Sequence, residues 1–80
     1  MKDLVTYIVK SLVDNPDEVS VSETEERGET VLELSVAGSD MGRIIGRKGR
    51  VINAVRSLLQ VAAAKQGSRV ALELLETGDR

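Results

Sequence analysis

Two basic residues stand between two glycines near the middle of the chain, in the segment Ile44-Ile45-Gly46-Arg47-Lys48-Gly49-Arg50-Val51-Ile52. Apolar residues at helical spacing before and after it predict a short helix at Met41–Ile45 and a longer one at about Arg50–Lys65. Because glycine has no Cβ atom, Gly46 and Gly49 permit a sharp turn between these helices. The segment therefore predicts two helices joined by a tight loop, with both basic residues at its tip.

The same loop is a candidate anion site. Free backbone amides of the turn and of the following helical turn attract anions, and the helix dipole adds to this attraction. We expect Arg47 and Lys48 to flank a phosphate chain, and Arg43 and Arg50 to widen the positive rim. Arg56 is interpreted as part of the solvated face of the helix.

The residues before the loop predict one helix and a hairpin. Residues 2–14 carry apolar side chains at helical spacing, and Pro16 ends that helix because it disfavours the α conformation of the residue before it. From Glu18 the apolar pattern changes to period two. Arg27-Gly28 predicts a hairpin turn, and Thr30–Ala37 a second strand with Leu32, Leu34 and Val36 on one face.

The residues around and after the two helices complete the prediction. Ser39 or Asp40 is the expected N-cap of the short helix, and Gly67 the stop of the long one. Arg69–Leu75 alternates as a last strand, with Val70, Leu72 and Leu74 on one face, and Thr77–Arg80 is expected to fray.

The predicted order is α-β-β-α-α-β, which indicates an α+β domain of two layers. Three helices cover one face of a three-stranded sheet. The strands before and after the helix pair are joined by a helical crossover, so we expect them to be parallel neighbours. Residues 1–80 show no linker or repeat and are interpreted as a single domain.

Composition excludes several function classes. The 80 residues include no His, no Cys, no Trp and no Phe, and Tyr7 is the only aromatic residue. These absences exclude a disulfide framework, a zinc finger, a thiol nucleophile, an imidazole base and an aromatic stacking platform. No apolar run approaches the length of a membrane span. We therefore expect a cytoplasmic protein without a metal or other cofactor and without a membrane partner.

The charge is unevenly distributed along the chain. The net charge is −2, but residues 1–38 hold nine acids against three bases, whereas residues 39–56 hold five bases against Asp40 alone. The acids Glu23, Glu25, Glu26 and Glu29 are interpreted as a solvated surface of the hairpin. A local charge of +4 over residues 39–56 is enough to attract phosphate.

Residues 44–52, with an aliphatic pair before a GxxG loop and an aliphatic residue after it, resemble the signature of KH domains. The element order resembles the type II arrangement, and a single domain of this length resembles the bacterial KhpA family of small RNA-binding proteins. The resemblance covers nearly the whole chain. It implies a two-layer type II KH-like fold and a GxxG loop formed by Gly46-Arg47-Lys48-Gly49.

The resemblance also implies a function, namely binding of single-stranded RNA without catalysis. KH domains clamp about four nucleotides at the GxxG loop. The bases are then expected to turn toward an aliphatic floor, for which Ile44, Ile45 and Ile52 are the candidates. At least one of these three is expected to be simply buried, because so small a domain needs its aliphatic residues for the core. Groups of the neighbouring strand are available to read base edges.

Further expectations come from the family alone. Its members are associated with RNA chaperone or post-transcriptional roles, with cell division and cell-wall growth, with homodimers, and with a larger KH-containing partner of the KhpB family. The alternative function is a protein-interaction or dimerisation module with the KH shape and little RNA affinity, which the long apolar stripe of the predicted helix at 50–65 favours. Nucleotide-binding alternatives fail because the spacing of the glycines and of Lys48 matches neither G-x-G-x-x-G nor a P-loop.

Overall fold

The computed structural model describes residues 1–75 and confirms the predicted order of elements. The helices and strands are α1 Lys2–Leu12, β1 Ser20–Glu26, β2 Glu29–Ser35, α2 Met41–Ile45, α3 Arg50–Lys65 and β3 Arg69–Leu74. The predicted frayed segment at Thr77–Arg80 lies outside the described residues. None of the described helices combines the length and hydropathy that crossing a membrane requires.

The first helix and first strand differ slightly from the prediction. Helix α1 ends at Leu12 rather than at residue 14, and β1 begins at Ser20 because Pro16–Glu18 forms a turn of 3-10 helix. The predicted hairpin turn is confirmed. Arg27 and Gly28 have φ angles of 53° and 80°, and positive φ at both central residues is what the favoured two-residue hairpin turn requires.

The sheet has the order β1-β2-β3, so β1 and β3 are its edges. Strands β1 and β2 are antiparallel, whereas β2 and β3 are parallel with Leu32 opposite Leu72. The amide of Leu75 donates to the Leu34 carbonyl at 2.8 Å and extends this pairing by one residue. The predicted parallel neighbours are thus confirmed, with the α2–α3 unit as their crossover.

The core lies between the sheet and the three helices. The predicted inner faces of β2 and β3 are confirmed, since Leu32, Leu34, Val70 and Leu72 are buried. The remaining buried aliphatic side chains of the core cluster come from the three helices and from the segment after β2. They are Val5, Val9, Val36, Ile44, Ile52, Val55, Leu59 and Ala63. These contacts fix α1, α2 and α3 on one face of the sheet.

Asp40 is the only buried charged side chain in the described part of the chain, and it does not act as predicted. It stands at the start of α2, but its side chain makes no capping hydrogen bond there. Its carboxylate instead accepts hydrogen bonds at 3.1 Å from the amides of Asp14 and Asn15 and from the Asn15 side chain. The carboxylate thereby joins the end of α1 to the start of α2, because Asp14 and Asn15 come just after the last turn of α1.

Burial alone would raise the pKa of Asp40, but the hydrogen bonds from Asp14 and Asn15, with the nearby Arg43 charge, hold it below its usual value. A lowered pKa means that the ionised carboxylate stabilises the fold above the pKa of the unfolded chain. That contribution is lost as the pH falls through the lower pKa of the folded state.

We therefore expect Asp40→Asn to lower the melting temperature at about pH 7, with a deficit that narrows toward about pH 2 as the native carboxylate takes up its proton. Thermal unfolding followed by circular dichroism at both pH values measures this. Asp17→Asn removes the same charge from an exposed position and serves as the control. A deficit of equal size at both pH values would contradict the charged role of Asp40.

Candidate functional site

The loop between α2 and α3 depends on Gly46. Its amide donates to the Gly42 carbonyl at 2.9 Å and ends α2, and its φ of 76° and ψ of 174° lie in a region that only glycine adopts readily. A Cβ atom here would lie 2.5 Å from Val51 Cγ2 and 2.8 Å from the Val51 backbone nitrogen. The first turn of α3 thus packs directly on the Gly46 backbone.

The second half of the loop is left-handed. Lys48 has φ 58° and ψ 27°, and Gly49 has φ 75° and ψ 16°. A left-handed conformation costs a non-glycine residue roughly 1–2 kcal/mol. The flanking helices hold Lys48 in it nonetheless, and the side chains of Arg47 and Lys48 are exposed at the loop tip, as predicted. Local strain of this kind is typical of binding loops.

The loop amides are partly used inside the protein. Gly49 donates to the Gly46 carbonyl at 3.2 Å, and Arg50 donates to the Arg47 carbonyl. Among the described residues, the amides of Arg47 and Lys48 have no backbone acceptor. These two amides, beside the two basic side chains, are therefore the ones that can meet a phosphate group.

The predicted basic rim divides into two roles. Arg50 is exposed and, within residues 1–75, makes no side-chain hydrogen bond or ion pair. Arg43 donates to the Asp14 carboxylate at 3.2 Å, with both side chains largely exposed. An exposed ion pair of this kind is weak, so Arg43 can exchange Asp14 for a phosphate. Unlike Arg50, however, it must first release a partner inside the protein.

The three candidate isoleucines are separated by burial. Ile44 is 1% exposed and Ile52 6% exposed, and both belong to the core cluster. The expectation that at least one is simply buried is confirmed. Ile45 is 37% exposed beside the loop. It is therefore the one of the three whose side chain a ligand can reach in this conformation.

A groove lies between α3 and the free edge of β3, further along α3 than the loop, and no loop residue lines it. Its volume is about 320 Å³, and it is lined by Arg56, Leu59 and Gln60 from α3, by residues 70–73 of β3, which include Glu73, and by Glu29 of β2. Arg56 lies seven residues after Gly49, about 10 Å further along the helix axis. The groove is therefore within reach of a short chain held at the loop.

The prediction for Arg56 as a solvated residue is wrong. Its side chain is half-buried and crosses the groove, where Nε donates to the Leu72 carbonyl at 3.1 Å and Nη1 to Asn53 Oδ1 at 3.4 Å. The available signal was the spacing of residues 49, 53, 56 and 60, which share one helical face that begins at the loop. That periodicity does not reveal that β3 lies opposite.

The chain is similar to known proteins over nearly its whole length. The profile of the family described as "KhpA/KhpB, KH domain" matches residues 2–74. A protein of Borreliella burgdorferi named "RNA-binding protein KhpA" is 51% identical over 74 residues, which cover 92% of this chain and 90% of the relative. Proteins with the same name from Clostridium acetobutylicum and Chlamydia pneumoniae are 48% and 46% identical, over 94% and 95% of this chain and 100% and 97% of theirs.

The loop geometry predicts opposite outcomes for two neighbouring glycines. Gly46→Ala forces a side chain against Val51 and should lower the free energy of unfolding by at least about 2 kcal/mol. Gly42→Ala, inside α2, meets no atom within 4 Å and should be neutral or stabilising by up to about 1 kcal/mol. Urea unfolding measures both. Equal effects of the two substitutions would contradict the close packing of α3 on Gly46.

Proposed function

Because the chain belongs to the family of KhpA/KhpB KH domains, a family of non-enzymatic binding proteins, we propose that it binds single-stranded RNA and clamps about four nucleotides at the loop Gly46–Gly49. The observation that carries the proposal is the loop itself. Its exposed tip presents two cations and two amides without backbone acceptors, and an open groove lies further along α3. Its relatives are named RNA-binding proteins, which supports the same partner here.

The RNA backbone lies along the loop in this proposal, and the bases enter the groove between α3 and β3. The apolar side chain of Ile45 stands beside the loop, and Leu59 and Val70 help to line the groove. The edge of β3 adds main-chain donors and acceptors. Such a site needs no aromatic side chain, and the single aromatic residue, Tyr7, belongs to α1 rather than to the loop or the groove.

The distribution of charge favours one binding position. The acids Glu23, Glu25 and Glu26 belong to β1, the edge strand opposite β3. They repel phosphate from that side of the sheet, whereas the cations at the loop attract it. We propose that this contrast keeps the RNA backbone at the loop despite the net charge of −2.

The cellular roles are proposals that rest on the family resemblance. They are an RNA chaperone or post-transcriptional regulator in the cytoplasm, with a link to cell division and cell-wall growth. A heterodimer with a larger KH-containing partner of the KhpB family rests on that resemblance and on the description of the matching family.

A second candidate function is self-association, for which α3 offers a surface. Leu58 and Val61 are 57% and 58% exposed. Helical spacing places them on one stripe, roughly 150° around the helix from the groove-facing Arg56 and Gln60. An interface of about 800 Å² per partner would cover about 15% of the 5304 Å² surface. A homodimer through this stripe would leave both grooves open and add avidity.

The RNA proposal predicts that Arg47→Asp with Lys48→Asp lowers affinity for short single-stranded RNA by more than about tenfold, because the loop then repels phosphate. Aspartate tolerates the left-handed conformation of residue 48, so the fold should be retained. Fluorescence anisotropy with a labelled RNA pool measures the affinity, and circular dichroism checks the fold.

A matched control is Lys2→Asp with Lys10→Asp, which makes the same charge change on α1 and should leave most of the affinity intact. Equal losses in the two double variants would contradict the loop assignment. Arg47, Lys48 and Arg50 are the three basic side chains of the loop that have no partner within residues 1–75. With these three at phosphates, the log–log slope of affinity against salt should be about −2.

The self-association proposal predicts that Leu58→Asp with Val61→Asp produces a monomer, since each aspartate would be desolvated in the interface. Sedimentation velocity at several concentrations measures the state. Gln60→Asp, at an exposed position on the groove side of the same helix, is the control and should leave the dimer intact. A wild-type protein that is monomeric at every concentration would refute this second candidate without affecting the first.

A further inference from the structure

The free edge of β3 exposes main-chain groups of alternate residues. The amide of Leu75 bonds to β2, and the Leu72 carbonyl accepts from Arg56 on the other side. Because successive residues of a strand direct their main-chain groups to opposite sides, Val70, Leu72 and Leu74 turn both N–H and C=O toward the groove. An uncovered edge of this kind offers a base an acceptor next to a donor.

Arg56 changes that pattern at Leu72. Its Nε donates to the Leu72 carbonyl at 3.1 Å and so occupies the edge acceptor in the middle of the groove. A guanidinium group has five N–H donors and no acceptor. The contacts to Leu72 and Asn53 use two of them, and three remain for a ligand.

The position of Arg56 is fixed from two sides. Asn53 stands one helical turn before it and orients the guanidinium group through Oδ1, at 3.4 Å from Nη1. No carboxylate among the described residues lies within salt-bridge distance of Arg56. The guanidinium group is therefore bonded to two carbonyl oxygens, and no carboxylate neutralises its positive charge. That charge remains available to a ligand in the groove.

We infer that Arg56 sets the base preference of the groove by replacing the acceptor of the β3 edge with donors. This inference rests on the proposed RNA function. A base that enters beside Arg56 meets the remaining guanidinium donors and the Leu72 amide, so it must present acceptors. Guanine presents O6 and N7 side by side, which is the pair that an arginine fork recognises. Adenine presents an amino donor at the corresponding position, and the Leu72 carbonyl that would accept from it is already bonded to Arg56.

The test compares guanine with adenine, because the two purines stack alike and differ in the groups that Arg56 reads. The probes are labelled hexauridylates that carry one guanosine, adenosine or inosine at each position in turn. At the position that occupies the groove, the wild-type protein should prefer guanosine over adenosine by roughly tenfold. Inosine should match guanosine, because it keeps O6 and N7.

Two substitutions separate the role of Arg56 from its charge. Arg56→Met keeps a long side chain and uncovers the Leu72 carbonyl, so the preference for guanosine should disappear and adenosine should gain affinity. Arg56→Lys keeps the charge but cannot make the fork, so it should retain overall affinity and lose most of the discrimination. Without RNA, the Arg56 Nε–H signal in NMR should exchange slowly with solvent in the wild-type protein.

The outcomes distinguish this inference from the proposed function. If the wild-type protein binds RNA and Arg56→Met weakens all three probes equally, Arg56 is a phosphate contact and the inference is overturned while the RNA proposal stands. If the wild-type protein does not distinguish guanosine from adenosine at any position, the inference is overturned as well. Fast exchange of the Arg56 Nε–H with solvent would show that the Leu72 carbonyl is not occupied. That result would overturn the inference even if Arg56→Met failed to fold. Absence of any RNA binding by the wild-type protein would overturn both.

Discussion

The close approach of α3 to the backbone of Gly46 is the contact on which the rest of the site depends. A Cβ atom at this position would lie within 2.9 Å of three atoms of Val51. Without one, α2 can end and α3 can begin within the four residues of the loop, and α3 then lies against β3 with Ile52, Val55 and Leu59 in the core. The same contact turns Arg47 and Lys48 outward and brings Arg56 over the edge of β3. The binding chemistry at the tip and the position of the groove therefore have one steric cause.

Asp40 complements that constraint at the other end of α2. A helix of five residues has little stability of its own, because most of its main-chain groups are terminal. Burial of Ile44 holds one face of it, and the Asp40 carboxylate ties its start to the amides that follow α1. The short helix is thus fixed at both ends, by a hydrogen-bonded carboxylate and by a glycine contact. This explains how a loop with a left-handed lysine can stay in one conformation.

Whether the sequence could predict a feature depends on how far apart the interacting residues lie along the chain. Features that depend on local spacing were predicted correctly. They are the helix bounds at Met41–Ile45 and Arg50–Lys65, the hairpin turn, and the inner faces of β2 and β3. Asp40 accepts hydrogen bonds from residues that are 25 and 26 positions away in the sequence, and Arg56 donates to a carbonyl 16 positions away. Capping statistics favour Asp40 as a cap of its own helix, and periodicity marks Arg56 as polar. Neither rule contains the geometry of the neighbouring element, so the position of Asp40 at the start of α2 was predicted correctly but the partners of both side chains were not.

The five bases of residues 39–56 are therefore not equivalent, although they are alike in the sequence. Arg43 is paired with Asp14, and Arg56 is bonded to a main-chain carbonyl and to Asn53. Arg47, Lys48 and Arg50 stand at the loop without such partners in the described chain. In the proposed RNA complex, a phosphate chain contacts the last three first, because no internal bond has to break. Under that proposal, the net charge of the chain says little about its affinity for RNA, because the internal partner of each basic residue decides whether it is free for the RNA backbone or placed toward the bases.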